Sequence, residues 1–175
     1  AEAHFPECAA AVAVAIFGGV RMAELKRLQW SDFRNDYLAV AAIASKKKRR
    51  RTLKLTEPLS LWIDRYRQTE GSLCPEGWEH KWNAIRQLTG WRVQSRLLEA
   101  KPLKNAPIWP QNALRHTTAS ARLALGEAPA SLVVELGHSE QMLFSHYADA
   151  YSKKDATLLF SLGPKGKSIS QLKVA

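Results

Sequence analysis

Cysteine is nearly absent: Cys8 and Cys74 are the only two in 175 residues, far apart and without metal-ligand spacing around either. That excludes a disulfide framework, and the pair reads as the reduced thiols of a cytoplasmic protein. Long hydrophobic runs are missing too. The apolar stretch 8–20 falls short of the ~20 residues that span a bilayer, ends in Gly18-Gly19, and follows acidic Glu2 and Glu7 where a targeting leader would be basic. It predicts a core helix, neither signal nor anchor. No Gly-rich phosphate-binding loop occurs. The chain starts at Ala1 with no initiator Met, which fits a fragment excised from a longer protein. Acidic residues are scarce against basic ones, 16 Asp and Glu against 26 Lys and Arg, for a formal net charge of +10. A surface this basic attracts polyanions through counterion release from phosphates, so nucleic acid is the first partner to consider and an anionic membrane the second.

What is present suffices for one domain with a real core: 46% of the residues are hydrophobic. Pro6 and Glu7 suit a helix start, and 8–17 supply an almost continuously apolar body stopped by Gly18-Gly19. A short helix over 22–28 turns Leu25 and Leu28 inward and Lys26 and Arg27 outward. Residues 37–43 and 52–55 read as strands enclosing Lys46-Lys47-Lys48-Arg49-Arg50-Arg51 at a hairpin tip, where a basic run can lie along a nucleic-acid backbone. Thr56 caps a helix carrying Leu59, Trp62, Ile63 and Tyr66, and residues 70–77 form a loop. Helices follow over 78–88 and, past Gly90, over 91–99, with Arg86, Arg92 and Arg96 read as solvated. After an irregular connection with three prolines come helices 111–125, closed by Gly126, and 129–136, closed by Gly137, which displays His138 at a helix end. Ser139 caps a helix that carries Met142, Leu143 and Tyr147 on one face. The tail is helical to about residue 160, then breaks at Gly163-Pro164. The expected fold is mainly α with a small antiparallel β-sheet (α+β).

Arg115 stands inside the apolar helical pattern of Leu114, Ala119, Leu123 and Leu125. Burying it there is expensive unless it meets an anion: a phosphate, or a structural Asp or Glu. Arg21, at a helix start, has the same two readings, with Glu24 as the structural partner. Asn112 reads as a helix N-cap.

In order, the chain offers Gly18-Gly19-Val20-Arg21, Ser45-Lys46, Asn112-Ala113-Leu114-Arg115-His116-Thr117, Leu136-Gly137-His138-Ser139 and Tyr147, nine residues after His138. This order resembles the catalytic domain of the tyrosine recombinases, the phage-integrase family, from about residue 11 to residue 150. The resemblance implies the DNA breaking-rejoining fold over 1–160, a flexible tail over 161–175, and a helical DNA-binding domain that would precede this chain and is absent from it. It implies double-stranded DNA as partner, no membrane, a monomeric fragment that is tetrameric on DNA when full length, and a cytoplasmic, nucleoid-associated location.

The implied reaction cleaves a DNA strand by forming a 3′-phosphotyrosine and freeing a 5′-hydroxyl, with neither ATP, metal nor other cofactor. Arg21 and Arg115 would hold the scissile phosphate, Lys46 would protonate the leaving oxygen, His138 would donate to the phosphate and Tyr147 would attack. Lys47 and Lys48 stay open as alternatives to Lys46; with Arg49, Arg50 and Arg51 they form the expected DNA contact. His116 and His146 read as structural neighbours, and Tyr151 is the rival phenol. The departure is Asn112, where the family usually carries His or Lys. An amide can donate a hydrogen bond but cannot exchange a proton. The same parts resemble a type IB topoisomerase. Two readings compete: a DNA-binding paralogue with impaired chemistry, and a basic RNA-binding or membrane-surface protein.

Overall fold

Alanine and valine dominate α1 (Ala9–Phe17), and their short side chains let neighbours approach from almost every side. Seven of its residues are buried, including Ala11 and Val14 with no exposed surface. The helix is therefore the axis of the core in the computed structural model, which describes residues 1–41, 50–93, 97–98, 105–137 and 151–164. A 3-10 turn, Pro6–Cys8, leads into it. The helix α3 (Glu57–Tyr66) packs along one side and α5 (Ala113–Ala124) along another. The helix α7 (Lys153–Phe160) closes over α5, with Phe160 meeting Phe17 edge-on at 5.6 Å between ring centroids. No helix of the described residues is long and apolar enough to cross a membrane.

The strands β1 (Tyr37–Val40) and β2 (Arg51–Lys54) pair antiparallel in the register Leu38 opposite Leu53 and Val40 opposite Arg51. Alternation buries Leu38, Val40 and Leu53 on one face. The short helix α2 (Met22–Leu25) follows α1; it ends three residues earlier than expected and continues as tight turns, Arg27 N–H to Glu24 O and Leu28 N–H to Leu25 O, with Leu28 buried as its spacing requires. The helix α6 (Pro129–Leu136) sits against β2, where Glu135 accepts the Lys54 backbone N–H at 2.7 Å and also takes a hydrogen bond from buried Arg122. Arg122 is in turn held fork-to-fork by Glu127 at 2.7 and 2.8 Å, so one carboxylate network ties sheet, α5 and α6 together.

The helix α4 (Trp78–Leu88) has its expected bounds, but among the described residues of the helix expected over 91–99, namely 91–93 and 97–98, none is helical. Residues 91–93 are irregular: the Arg92 N–H donates to Pro107 O at 2.8 Å, and Trp91 packs edge-on against Trp109 at 5.0 Å. Tertiary partners outcompete local helix propensity here. The expected flexible tail also begins inside the body. Leu162 O accepts the Trp62 indole N–H at 3.0 Å, and Pro164 is buried.

Candidate active site

Two helix ends and one turn assemble the site. Gly137 closes α6 in the left-handed conformation (φ 66°), which leaves the last carbonyls of the helix pointing outward with the negative end of its dipole. Arg21 reaches Gly137 O with Nη2 at 3.1 Å, and Arg115 donates Nη2 to Leu136 O. Arg115 also donates Nη1 to Gly19 O at 2.9 Å, in the turn that follows α1. The two guanidiniums, 94 residues apart in the sequence, are thus anchored on consecutive carbonyls. The position after those carbonyls is His138.

The surroundings of the two differ. Arg115 is 3% exposed, whereas the Arg21 side chain is 43% exposed although both its Nη atoms have protein partners. Behind Arg21 stands Glu24, 5% exposed, which accepts the Arg21 backbone N–H at 3.1 Å and its Nη1 at 3.4 Å. Glu24 is clasped more tightly by Arg51, whose Nη1 and Nη2 bond its two oxygens at 2.7 and 2.6 Å. Burial works to raise the Glu24 carboxyl pKa; the Arg51 fork and charge, with the Arg21 N–H and charge, outweigh it and hold it below the ordinary carboxylate value. Glu24 therefore carries a negative charge at neutral pH that fixes one cation and orients another. Arg51 is a correction to the expected basic tip: it lies inside β2, its side chain is 11% exposed, and its fork is spent on Glu24 and not on solvent. Arg50 is exposed.

Asn112 takes the N-cap position of α5, and its carbonyl accepts the His116 N–H at 3.0 Å. Its backbone is left-handed (φ 56°), the only such non-glycine among the described residues, and its side chain makes no capping hydrogen bond. A cap thus exists at the expected place through the main chain, not through the amide. Asn112 lines a cavity of about 480 Å³ together with Arg21, Arg115, Trp82, Arg86 and Trp109. Arg86, expected to be solvated, is half-buried over the rings of Trp82 and Trp109, 5.5 and 6.0 Å from their centroids.

The profile of the phage integrase family matches residues 6–154. The chain belongs to that family. Solved members with the same fold include the catalytic domain of bacteriophage HP1 integrase, at 21% identity and a TM-score of 0.56 over 87% of this chain and 81% of that one. The XerA recombinase matches at 19% identity and 0.56, over 85% of this chain and 54% of its own. The Tn1549 transposon integrase, solved in complex with a circular-intermediate DNA, matches at 15% identity and 0.52, over 89% of this chain and 58% of its own. No curated protein sequence matches the chain. Phage integrase membership brings a tyrosine-recombinase type of DNA cleavage and rejoining, and the mainly α fold with its two-stranded antiparallel sheet is that of the family's catalytic domains.

Lys46, Lys47, Lys48, Arg49, His138 and Tyr147 lie outside the described residues. Tyr151, the other candidate phenol, is half-buried and packed against the hydrophobic core just before α7. Glu24 pairs with Arg21, as the Arg-x-x-Glu spacing at a helix start predicts, but its stronger partner, Arg51, is 27 residues away and was not expected. For Arg86 only Trp82, one turn earlier on α4, was a local signal; its other aromatic partner, Trp109, belongs to the connection before α5.

Proposed function

We propose that this chain is the catalytic domain of a site-specific DNA recombinase or integrase that cleaves and rejoins strands through a covalent 3′-phosphotyrosine. The observation that carries the reading is the anchoring of Arg21 and Arg115 on the carbonyls of Leu136 and Gly137, immediately before His138. Guanidinium forks reach two non-bridging phosphoryl oxygens at once and stay protonated at any relevant pH. With both forks on one phosphate, the charge of the pentacoordinate transition state is offset where it develops; removing one such donor costs about 3 kcal/mol by analogy with oxyanion holes.

Tyr147 is the nucleophile in this reading. Its phenolic oxygen bonds to phosphorus as the bond from phosphorus to the 5′-oxygen breaks, and Lys46 supplies the proton to that oxygen. His138 donates to a phosphoryl oxygen. A free phenol has a pKa of about 10, and the field of the two guanidiniums brings the phenolate within reach at neutral pH. Asn112 donates a hydrogen bond and accepts no proton, so no general base acts on Tyr147 from that position. The 5′-hydroxyl of a second strand reverses the step, and the phosphotyrosine link conserves the bond energy in between.

The partner is double-stranded DNA, with the 46–50 run along its backbone. This fragment binds it weakly as a monomer, and the full-length protein works as a tetramer on DNA within the nucleoid. A nicked suicide substrate, which loses its 5′-hydroxyl fragment after cleavage, tests the assignment. The unmodified protein and Tyr151→Phe should trap a covalent complex and Tyr147→Phe should not. Trapping by Tyr147→Phe would remove the assigned nucleophile. Binding without trapping by the unmodified protein would favour a DNA-binding paralogue with impaired chemistry, the reading supported by an amide at Asn112 that cannot exchange a proton.

A further inference from the structure

The cavity beside the two anchored guanidiniums is larger than one phosphate requires. Its volume, about 480 Å³, lies in the range of pockets that enclose small organic ligands, roughly 300–1,000 Å³. Two clusters stand in its walls. Arg21 and Arg115, seated on adjoining carbonyls, form one; Trp82 and Trp109, which meet edge-on at 5.5 Å with the Arg86 guanidinium over both rings, form the other, and Asn112 also lines the cavity. The carboxylate in the lining, Glu79, is engaged with Lys26. Arg86 is held in place by Asn83, which accepts from its Nη2, and its Nε is buried without a hydrogen-bond partner. Burial lowers the Arg86 pKa from its usual value, which the charge of Glu79 only partly counters.

Three guanidiniums and an amide against one paired carboxylate select an anion. An indole wall carrying a flat guanidinium selects a planar ring, since bases stack on both groups. A phosphate joined to a flat heterocycle is a nucleotide. We propose that this cavity is a nucleotide subsite, which receives an unpaired base of the DNA strand whose phosphate lies on Arg21 and Arg115. The Arg21 and Arg115 cluster takes the phosphate, the Trp109 and Arg86 cluster takes the base, and the Asn112 amide, able to donate and to accept, serves the ring edge. The inference rests on the placing of the scissile phosphate given above. Extruding a base costs least where it is already mismatched or bulged, so the subsite favours substrates distorted next to the cleaved bond.

Equilibrium binding of the complete 175-residue chain to two DNA duplexes tests this. One carries a single bulged 2-aminopurine; the other carries the same base paired with thymine. Stacking contributes about 1–3 kcal/mol per base, so the bulged duplex should bind about tenfold tighter, with its fluorescence quenched against the indoles. Trp109→Ala and, with less loss of packing, Arg86→Gln should each bring the affinity ratio close to one, with unchanged circular dichroism establishing that they fold. Equal affinity for both duplexes, or a preference that survives both substitutions, would overturn the proposal. Millimolar deoxyadenosine monophosphate forms a third arm. If it binds in a Trp109-dependent way while the duplexes bind alike, the cavity serves a free nucleotide and the DNA source is refuted. No covalent step enters the readout. A protein that prefers the bulge but never traps the suicide substrate keeps its subsite and loses its catalytic reading, and the reverse result has the reverse meaning.

Discussion

Glu24 concentrates more consequence than any other single described side chain, because one buried carboxylate serves two arginines. Glu24→Gln keeps the shape and removes the charge, which leaves Arg51 buried without its anion. Breaking a buried pair in this way costs about 3 kcal/mol, and urea denaturation at neutral pH should show a loss of that order. The pH dependence follows from the sign of the shift. The folded carboxyl titrates below the 4.5 of a free one, so its contribution is complete above that value and is lost as pH falls through the folded pKa. The gap in stability between Glu24→Gln and the parent chain should accordingly narrow as pH falls below 4.5 and through the folded pKa, where the parent's Glu24 takes up its proton; a constant gap would show that charge is not the cause. The thiols make a second residue-scale prediction. Burial pushes Cys8 up to about 11 and Cys74 up to about 12, so neither is a thiolate at neutral pH. A thiol reagent at pH about 8 should leave both unlabelled in the folded protein and label both in denaturant.

At the scale of the element, the turn between α1 and α2 decides where Arg115 can go. Gly19 has φ +58°, and a Cβ there would lie 3.0 Å from Leu136 Cδ2 and 3.2 Å from the Thr118 side chain. Gly19→Ala therefore meets both backbone strain and a clash with α5 and α6, at a cost of about 2 kcal/mol. It also displaces the carbonyl that holds Arg115 Nη1. Thermal melts should register the first effect, and covalent trapping should fall further than the stability loss alone explains. Elements of this kind were readable in the sequence wherever punctuation was local. Pro129 and Gly137 bracket α6, Gly77 precedes α4, and the Leu-Lys-Leu alternation gave β2. Residues 91–93 defeated the same reasoning. Their apolar content satisfies a helical pattern, yet Trp91 is claimed by Trp109 and the Arg92 N–H by Pro107, contacts that no window of neighbouring residues reveals. Arg51 was misplaced for a related reason. Six adjacent cations look alike in one dimension, and only the pairing of Val40 with Arg51 shows that the last of them belongs to the strand and turns towards Glu24.

For the whole molecule, a charge of +10 sets how it meets DNA. Nonspecific affinity should fall by about three to five orders of magnitude between 50 and 200 mM salt if six to ten phosphates are neutralised. A titration with a slope near zero would disprove a backbone-contact mode. The sequence showed the family through its order of motifs, and the fold brings the Arg21 and Arg115 side chains to one helix end. That shared seat has a price in independence. Leu136 and Gly137 are adjacent at the end of one helix, so anything that slides or rotates α6 repositions both cations together. Single substitutions of Arg21 and Arg115 should therefore fail to add in a double-mutant cycle, the pair losing little more activity than the worse of the two alone.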